Sequence, residues 1–215
     1  MPTLATNYPE MSQSNRPLVE VPSETRVVEY KGPLAWRDAR WKVVRAALAL
    51  ANVDTGGSIV IGVAELTRGT FDPIGLPPEQ AQTFANDEIS RLVNEYASPA
   101  ISLSTEIGAV NSKIFVVISI APFDQIPIVC KKDGENLAKG TIYTRATAMN
   151  ESVAVPGESE MREIIDRATD LQVRRMAERF RRMGLLFPPN AATPTSDAIA
   201  QARQDRLRLE RGSFE

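Results

Sequence analysis

The feature that most constrains this 215-residue chain is a short, continuously apolar run, Ser58–Val63 (Ser-Ile-Val-Ile-Gly-Val), entered through Gly56-Gly57. A half-buried strand alternates apolar and polar side chains. A β-branched run that does not alternate reads as a central strand covered on both faces. Upstream, Trp41, Val44, Leu48 and Ala51 recur at helical spacing, and Val43, Ala47 and Leu50 widen the stripe, which predicts a helix over Trp36–Ala51. Before it, Glu24–Lys31 predicts a strand with Val28 and Tyr30 on one face and Val27, Glu29 and Lys31 on the other, ended by Gly32-Pro33. Strand, helix, strand in that order predicts an α/β layer.

The remaining segments extend that layer. Glu65–Leu76 reads as a polar connection, and Glu79–Ala97 as a second amphipathic helix ended near Pro99. Ile101–Ile107 and Lys113–Ile120 read as a hairpin turning at Asn111-Ser112, Ile126–Cys130 as an edge strand because of Pro127, and Thr141–Arg145 as a last short strand. The predicted class is therefore mixed α/β: a mixed sheet with flanking helices, then a long C-terminal helix and a charged tail. Residues 1–18 carry too little apolar surface to offset their ordering entropy and read as a flexible arm. Residues 19–157 form the α/β domain, 158–184 a long amphipathic helix, and 185–215 a Pro-rich linker with a short charged helix over Ser196–Arg211. On the long helix the pairs Glu158/Arg162, Glu163/Arg167 and Glu178/Arg182 stand four residues apart with the acid first.

Composition removes whole classes of chemistry. The chain has no histidine, so Ser-His and Cys-His triads, imidazole bases and imidazole metal ligands are all excluded. Its single cysteine, Cys130, excludes an intrachain disulfide and a cysteine-cluster zinc site and reads as packing in an apolar strand. Chemistry must rest on carboxylates, lysine, tyrosine, hydroxyls or that thiol. The net charge of -2 does not announce a polyanion binder, so any such site is a local patch. The N-terminus lacks an apolar signal core and no later run is long enough to span a membrane, so a cytoplasmic protein is expected.

Read together, Glu24…Glu29-Tyr30-Lys31, Ala51-Asn52, Gly56-Gly57, Ile61-Gly62-Val63 and Tyr143-Thr144-Arg145 resemble the Schlafen/Alba-like DNA-binding domain family, the Schlafen-type AlbA domain. Each motif alone is weak, but their order and spacing together are specific. The resemblance runs from Val21 to Asp166 and implies an α/β fold that binds nucleic acid. In the eukaryotic Schlafens it implies a ribonuclease centre of three carboxylates. Two of these carry over by position to Glu24 and Glu29, which would hold Mg2+ or Mn2+. The third belongs after the Ile-Gly-Val strand, where this chain has Ala64-Glu65 in place of an acid pair, leaving Glu65 with the longer reach. The family's zinc site lacks its cysteine and histidine ligands here, and no nucleotide-cofactor fingerprint is present.

The candidate residues carry paired readings. Glu24 and Glu29 offer oxygen ligands to a hard cation, with Lys31 beside them to stabilise charge on a phosphorus centre. Alternatively, Glu29 and Lys31 form an ordinary ion pair on a strand face. Gly56 and Gly57 could cradle a phosphate with their amides, or only turn the chain between helix and strand. Arg145, following Lys139, could grip a phosphate through its fork or pair with an acid of the long helix. Arg174, Arg175, Arg179, Arg181 and Arg182 read as a solvated helix face, or as a polyanion-binding or docking arm. Three functions are therefore expected candidates. The first is RNA or DNA binding through Lys31, Gly56, Gly57, Lys139 and Arg145. The second is metal-dependent cleavage using Glu24, Glu29, Lys31 and Glu65. The third is a non-catalytic adaptor that forms a homo-oligomer or docks a partner protein through residues 158–215.

Overall fold

Gly56 turns the chain from helix into sheet with φ at +70° and leaves no room for a side chain, since a Cβ there would lie 2.1 Å from the carbonyl oxygen of Ile120. Around that turn the computed structural model describes residues 8–146, 152–154 and 157–185. The expected charged helix at Ser196–Arg211, the rest of the tail from 186 and the first seven residues lie outside the described residues. In chain order the elements are α1 (Arg16–Glu20), β1 (Val28–Lys31), α2 (Trp36–Ala51), β2 (Gly57–Ile61), β3 (Val63–Thr67), β4 (Thr70–Pro73), α3 (Pro78–Ala81) and α4 (Asn86–Tyr96). There follow β5 (Ala97–Ser98), β6 (Leu103–Val110), β7 (Lys113–Ile120), β8 (Val129–Cys130), β9 (Tyr143–Arg145), β10 (Ser152–Ala154) and α5 (Glu158–Arg182).

The main sheet is mixed, with strand order β1-β2-β7-β6. β1 runs parallel to β2 with Glu29 opposite Ile59 and Lys31 opposite Ile61, the pairing a helical crossover permits. β2 and β6 both run antiparallel to β7. The β6–β7 hairpin turns at Asn111 and Ser112, both with positive φ, as a twisted two-residue turn requires. β2 is covered on both faces, as its sequence predicts. Ile59 and Ile61 enter one core with α2, α4 and Ile114, Val116, Ile118 and Ile120 of β7. Val60 enters a second core with Val28, Tyr30, Phe115 and Val117.

From Val43 onward α2 is buried almost all round, with Val43, Val44, Ala46, Ala47, Leu48 and Leu50 inaccessible to solvent. No residue of its own caps its N-terminus; instead the Trp36 amide donates to the Thr83 hydroxyl at 2.9 Å. At the other end Asn52 is buried, donates from its side-chain amide to the carbonyls of Leu48, Ile128 and Tyr143, and accepts from the Ile128 amide. That one side chain fixes the helix end to the start of β9, two residues before Arg145.

Three expectations are corrected. Residues 8–18, expected as part of a flexible arm, are docked. Pro9 and Met11 exchange backbone hydrogen bonds with Ala109 on the outer edge of β6, and Met11, Leu18 and Val19 pack into the second core. The apolar underside of the sheet needs cover, and Met11 and Leu18, with Val19 just beyond, supply it although the segment's average is polar. Glu65–Leu76, expected as a plain connection, contains the β3–β4 hairpin. The single helix expected over Glu79–Ala97 is broken into α3 and α4, because buried Phe84 lies in a bend between them.

The chain divides into units of residues 1–171 and 172–215. In the first, the leading part of α5 is held by long-range partners in place of the expected Glu163/Arg167 pair. Glu163 pairs with Arg26 at 2.5 Å, and Arg167 donates to the carbonyls of Asp54 and Phe123 while lying over the Phe123 ring. The expected Glu158–Arg162 pair does form. In the second unit, α5 closes on bonds from the Gly184 amide to Arg181 and from the Leu185 amide to Phe180, a helix-end motif that glycine favours. No described helix is long and apolar enough to cross a membrane.

Candidate functional site

The alternation of β1 decides where its charges go. Val28 and Tyr30 turn into the second core, so Glu29 and Lys31 project to the α2 side of the sheet edge. There Arg145 arrives on β9, whose two-stranded partner β10 pairs Ser152 directly with Arg145. Arg145 is only 1% exposed. One nitrogen of its fork lies 2.6 Å from Glu29 Oε2, and the other lies 3.5 Å from Glu24 Oε1 and donates to the carbonyl of Thr25 at 3.4 Å. Lys31 Nζ lies 2.5 Å from the second Glu29 oxygen, and the Ser152 hydroxyl donates to Glu29 at 3.2 Å. Glu29 is thus a buried carboxylate caged by two cations and a hydroxyl, the condition under which a charge is tolerated away from water.

This network floors an open cleft of about 890 Å³. One wall is α2, through Lys42 and Arg45; another is the β3–β4 hairpin, through Glu65, Leu66, Thr67, Arg68 and Phe71. Five cations (Lys31, Lys42, Arg45, Arg68 and Arg145) face three carboxylates (Glu24, Glu29 and Glu65), in a chain whose overall charge is negative. Burial pushes the Glu24 carboxyl above its ordinary value; Arg145 and Lys31 pull it back, while the charges of Glu29 and Glu65 push it further up. The Tyr30 hydroxyl donates to the Leu18 carbonyl at 2.8 Å, and burial raises its pKa as well.

Of the residues picked out from sequence, Glu24, Glu29, Lys31, Glu65 and Arg145 meet in this cleft. Gly56, Gly57 and Lys139 do not line it. A Cβ at Gly57 would lie 2.3 Å from the Val27 carbonyl oxygen, so the glycine pair serves close packing between strands rather than opening onto a ligand. Lys139 sits in the loop between β8 and β9, its amide bonded to Asp133. Cys130 is buried, donates to the Lys132 carbonyl, and has a thiol pKa raised by that burial. Sequence reading missed Lys42, Arg45, Arg68 and Phe71. Nothing in the local pattern of α2 distinguishes Lys42 and Arg45 from cations facing water, and a hairpin read as a connection gave no reason to aim Arg68 anywhere.

The three carboxylates do not fit the divalent centre that the resemblance implies. Both Glu29 oxygens already contact cationic nitrogens, and Glu65 Oε1 accepts from the Gly69 amide at 3.0 Å. Among the described residues no group of three or more acidic, cysteine or histidine side chains is placed to hold a metal ion.

A family model described as Schlafen, AlbA_2 matches residues 24–154. No curated protein matches the chain. Two solved structures are similar to the chain at low identity. One is the DIP2311 protein of Corynebacterium diphtheriae, with 16% identity, a TM-score of 0.41, and coverage of 60% of this chain. The chain spans only 22% of that protein. The other is the N-terminal domain, solved in solution, of a protein of Nitrosomonas europaea named as RecG-related, in the class of ATP-dependent DNA helicases. It has 23% identity, a TM-score of 0.38, and coverage of 57% of this chain and 82% of that domain.

Proposed function

The chain belongs to the Schlafen, AlbA_2 family, and from that premise we propose that it is a nucleic-acid-binding protein whose phosphate-contacting surface is the cleft between β1, α2 and the β3–β4 hairpin. Family membership carries an association with nucleic acid at the level of the family. The single observation that supports this cleft is its local excess of cations in a chain of net charge -2. Five cationic groups around one open cleft draw a polyanion by displacing its counterions, and the low-dielectric walls concentrate that field. Lys42 and Arg68, both exposed, are the groups best placed for phosphates. Arg145 is held by the acids behind it and acts as fixed positive charge in the floor.

The reading favours holding over cutting. Glu29 bridges Lys31 and Arg145 and offsets one of their two charges, so its role here is to orient them. Cleavage with Mg2+ or Mn2+ is the alternative the test must separate, since Glu24, Glu29 and Glu65 share the cleft although they are not grouped to hold a metal ion. A fluorescence titration of the full chain with short RNA and DNA tests the first reading. Log affinity should fall linearly with log salt, by about 0.7 to 0.9 for each phosphate neutralised. The double substitution K42E/R68E should weaken binding by at least about tenfold and flatten that slope. Absence of binding at low salt in the parent protein would end the proposal. Running the same probes with Mg2+, with Mn2+ and with EDTA on a gel brings the nuclease reading back if metal-dependent fragments form.

A further inference from the structure

The hairpin wall of the cleft is not built for phosphates alone. Glu65 and Phe71 are a cross-strand pair, so their side chains share a face. The register shifts between Glu65 and Thr67, and a bulge of this kind re-aims the residue it contains. Leu66, which regular alternation would send to the opposite face, lines the cleft with Glu65, Thr67 and Phe71 and is 63% exposed. Phe71 packs at 4.9 Å against the Tyr30 ring, which fixes it in the wall while leaving it partly exposed. An apolar patch of leucine and phenylalanine therefore sits among cations, with the Glu24 and Glu65 carboxylates beside it.

A duplex has little use for such a wall. It presents phosphates outward, keeps its base faces stacked and has its pairing edges occupied. Carboxylates next to phosphates only repel. A single strand exposes what this wall complements: a ring face for Leu66 and Phe71, and base N–H groups for the acceptor oxygens of Glu24 and Glu65. We propose that the cleft takes single-stranded nucleic acid, RNA or DNA, seating an unpaired base against Leu66 and Phe71 while Lys42, Arg45 and Arg68 hold the adjoining phosphates. This rests on the cleft being the nucleic-acid site.

The test compares four labelled probes of equal length on the full chain at one low salt concentration in EDTA: single-stranded DNA, single-stranded RNA, blunt duplex DNA and an abasic DNA strand. The abasic strand keeps the phosphates and removes the bases. The single-stranded DNA should bind about tenfold tighter than the abasic strand and than the duplex, the scale of one stacked base. Leu66→Ala, at an exposed position that burdens folding little, should shrink that preference by roughly fivefold. The RNA arm shows which sugar the site accepts, since either single strand above the duplex supports the proposal. An abasic strand or duplex bound as tightly as the single strands overturns it while leaving phosphate binding intact. If none of the four binds, the cleft reading falls and this inference falls with it. A Leu66→Ala preference equal to the parent's overturns the hairpin's part in it.

Discussion

The sheet has two edges, and the chain closes them in different ways. At the β6 edge residues 9–11 add a partial strand, and the buried underside receives Met11, Leu18 and Val19. The acid at that edge, Glu106, is satisfied by neutral donors: the Ser12 amide at 2.6 Å, the Ser12 hydroxyl at 2.7 Å and the Asn15 side chain at 2.6 Å. At the β1 edge Glu29 is met by formal charges, Lys31 and Arg145. Neutral closure lays backbone on backbone. Closure by ion pairs stands the covering strand β9 off on long side chains, and an open cleft remains. The same problem of an unpaired strand edge has thus produced a seal on one side and a candidate binding site on the other.

The largest effect that would break this comparison is expected at Arg145. Replacing it with alanine leaves buried Glu29, among the described residues, with Lys31 as its one remaining cation and Oε2 facing only the Ser152 hydroxyl, and urea unfolding should register a loss of up to about 3–5 kcal/mol. Replacing both partners, E29L with R145M, should restore part of that stability, since the two most buried charges go together and only the more exposed Lys31 and Glu24 lose a partner. If the double variant were as unstable as the single one, the pairing would not be what holds the edge.

A smaller loss, about 1 kcal/mol at neutral pH, is expected for Glu106→Gln, which weakens three hydrogen bonds at a half-exposed acid. Its pH behaviour is distinctive. Burial pushes this carboxyl up, but the bonds from Ser12 and Asn15 outweigh that and leave its pKa lowered. A lowered carboxylate holds fewer protons folded than unfolded. Its contribution is therefore present above the ordinary carboxylate range, about pH 4, and lost as pH falls through the lowered value. Parent and variant stabilities should converge in acid; curves that stay parallel would contradict the assignment.

The smallest effect concerns Glu24, whose raised pKa works in the opposite sense. As pH drops through that raised value the cleft loses a negative charge, so affinity for a polyanion should increase by about two- to threefold beyond the parent trend, and Glu24→Gln should remove the increment. The same shift lowers stability as pH rises through the window between the ordinary and the raised value, because the folded form holds the extra proton there. A pH series of titrations on the two proteins measures both.

Much of the fold was legible from residues alone. The helix over Trp36–Ala51 keeps its expected bounds because its apolar periodicity and its Ala content agree with its burial. β2 and the β6–β7 hairpin were marked by an unbroken β-branched run and by Asn111-Ser112. Less of the candidate site was legible. Glu24, Glu29 and Arg145 stood out together through the family resemblance, and the fold draws them together across the 116 residues between Glu29 and Arg145, with Arg145 on Glu29 rather than on an acid of the long helix. Lys42 and Arg45 did not, because a cation on a helix looks the same whether it meets water or a cleft. Residues 8–18 were misread because apolar content was averaged when a few well-placed side chains, Met11 and Leu18 among them, carry the docking.

What the sequence determined by itself is the class of chemistry and the central architecture. The lack of histidine and the single cysteine restrict side-chain chemistry to carboxylates, lysine, tyrosine, hydroxyls and one thiol, and the apolar run at Ser58–Val63 demands a covered central strand. Only the tertiary structure decided that both oxygens of Glu29 in the expected acid site are committed to cations, and that Leu66, at a register shift in the hairpin, lines the cleft. Those outcomes depend on where β9 and the hairpin pack against α2 and β1. Long-range placement of that kind is set by the fit of whole surfaces, and no local pattern of residues encodes it.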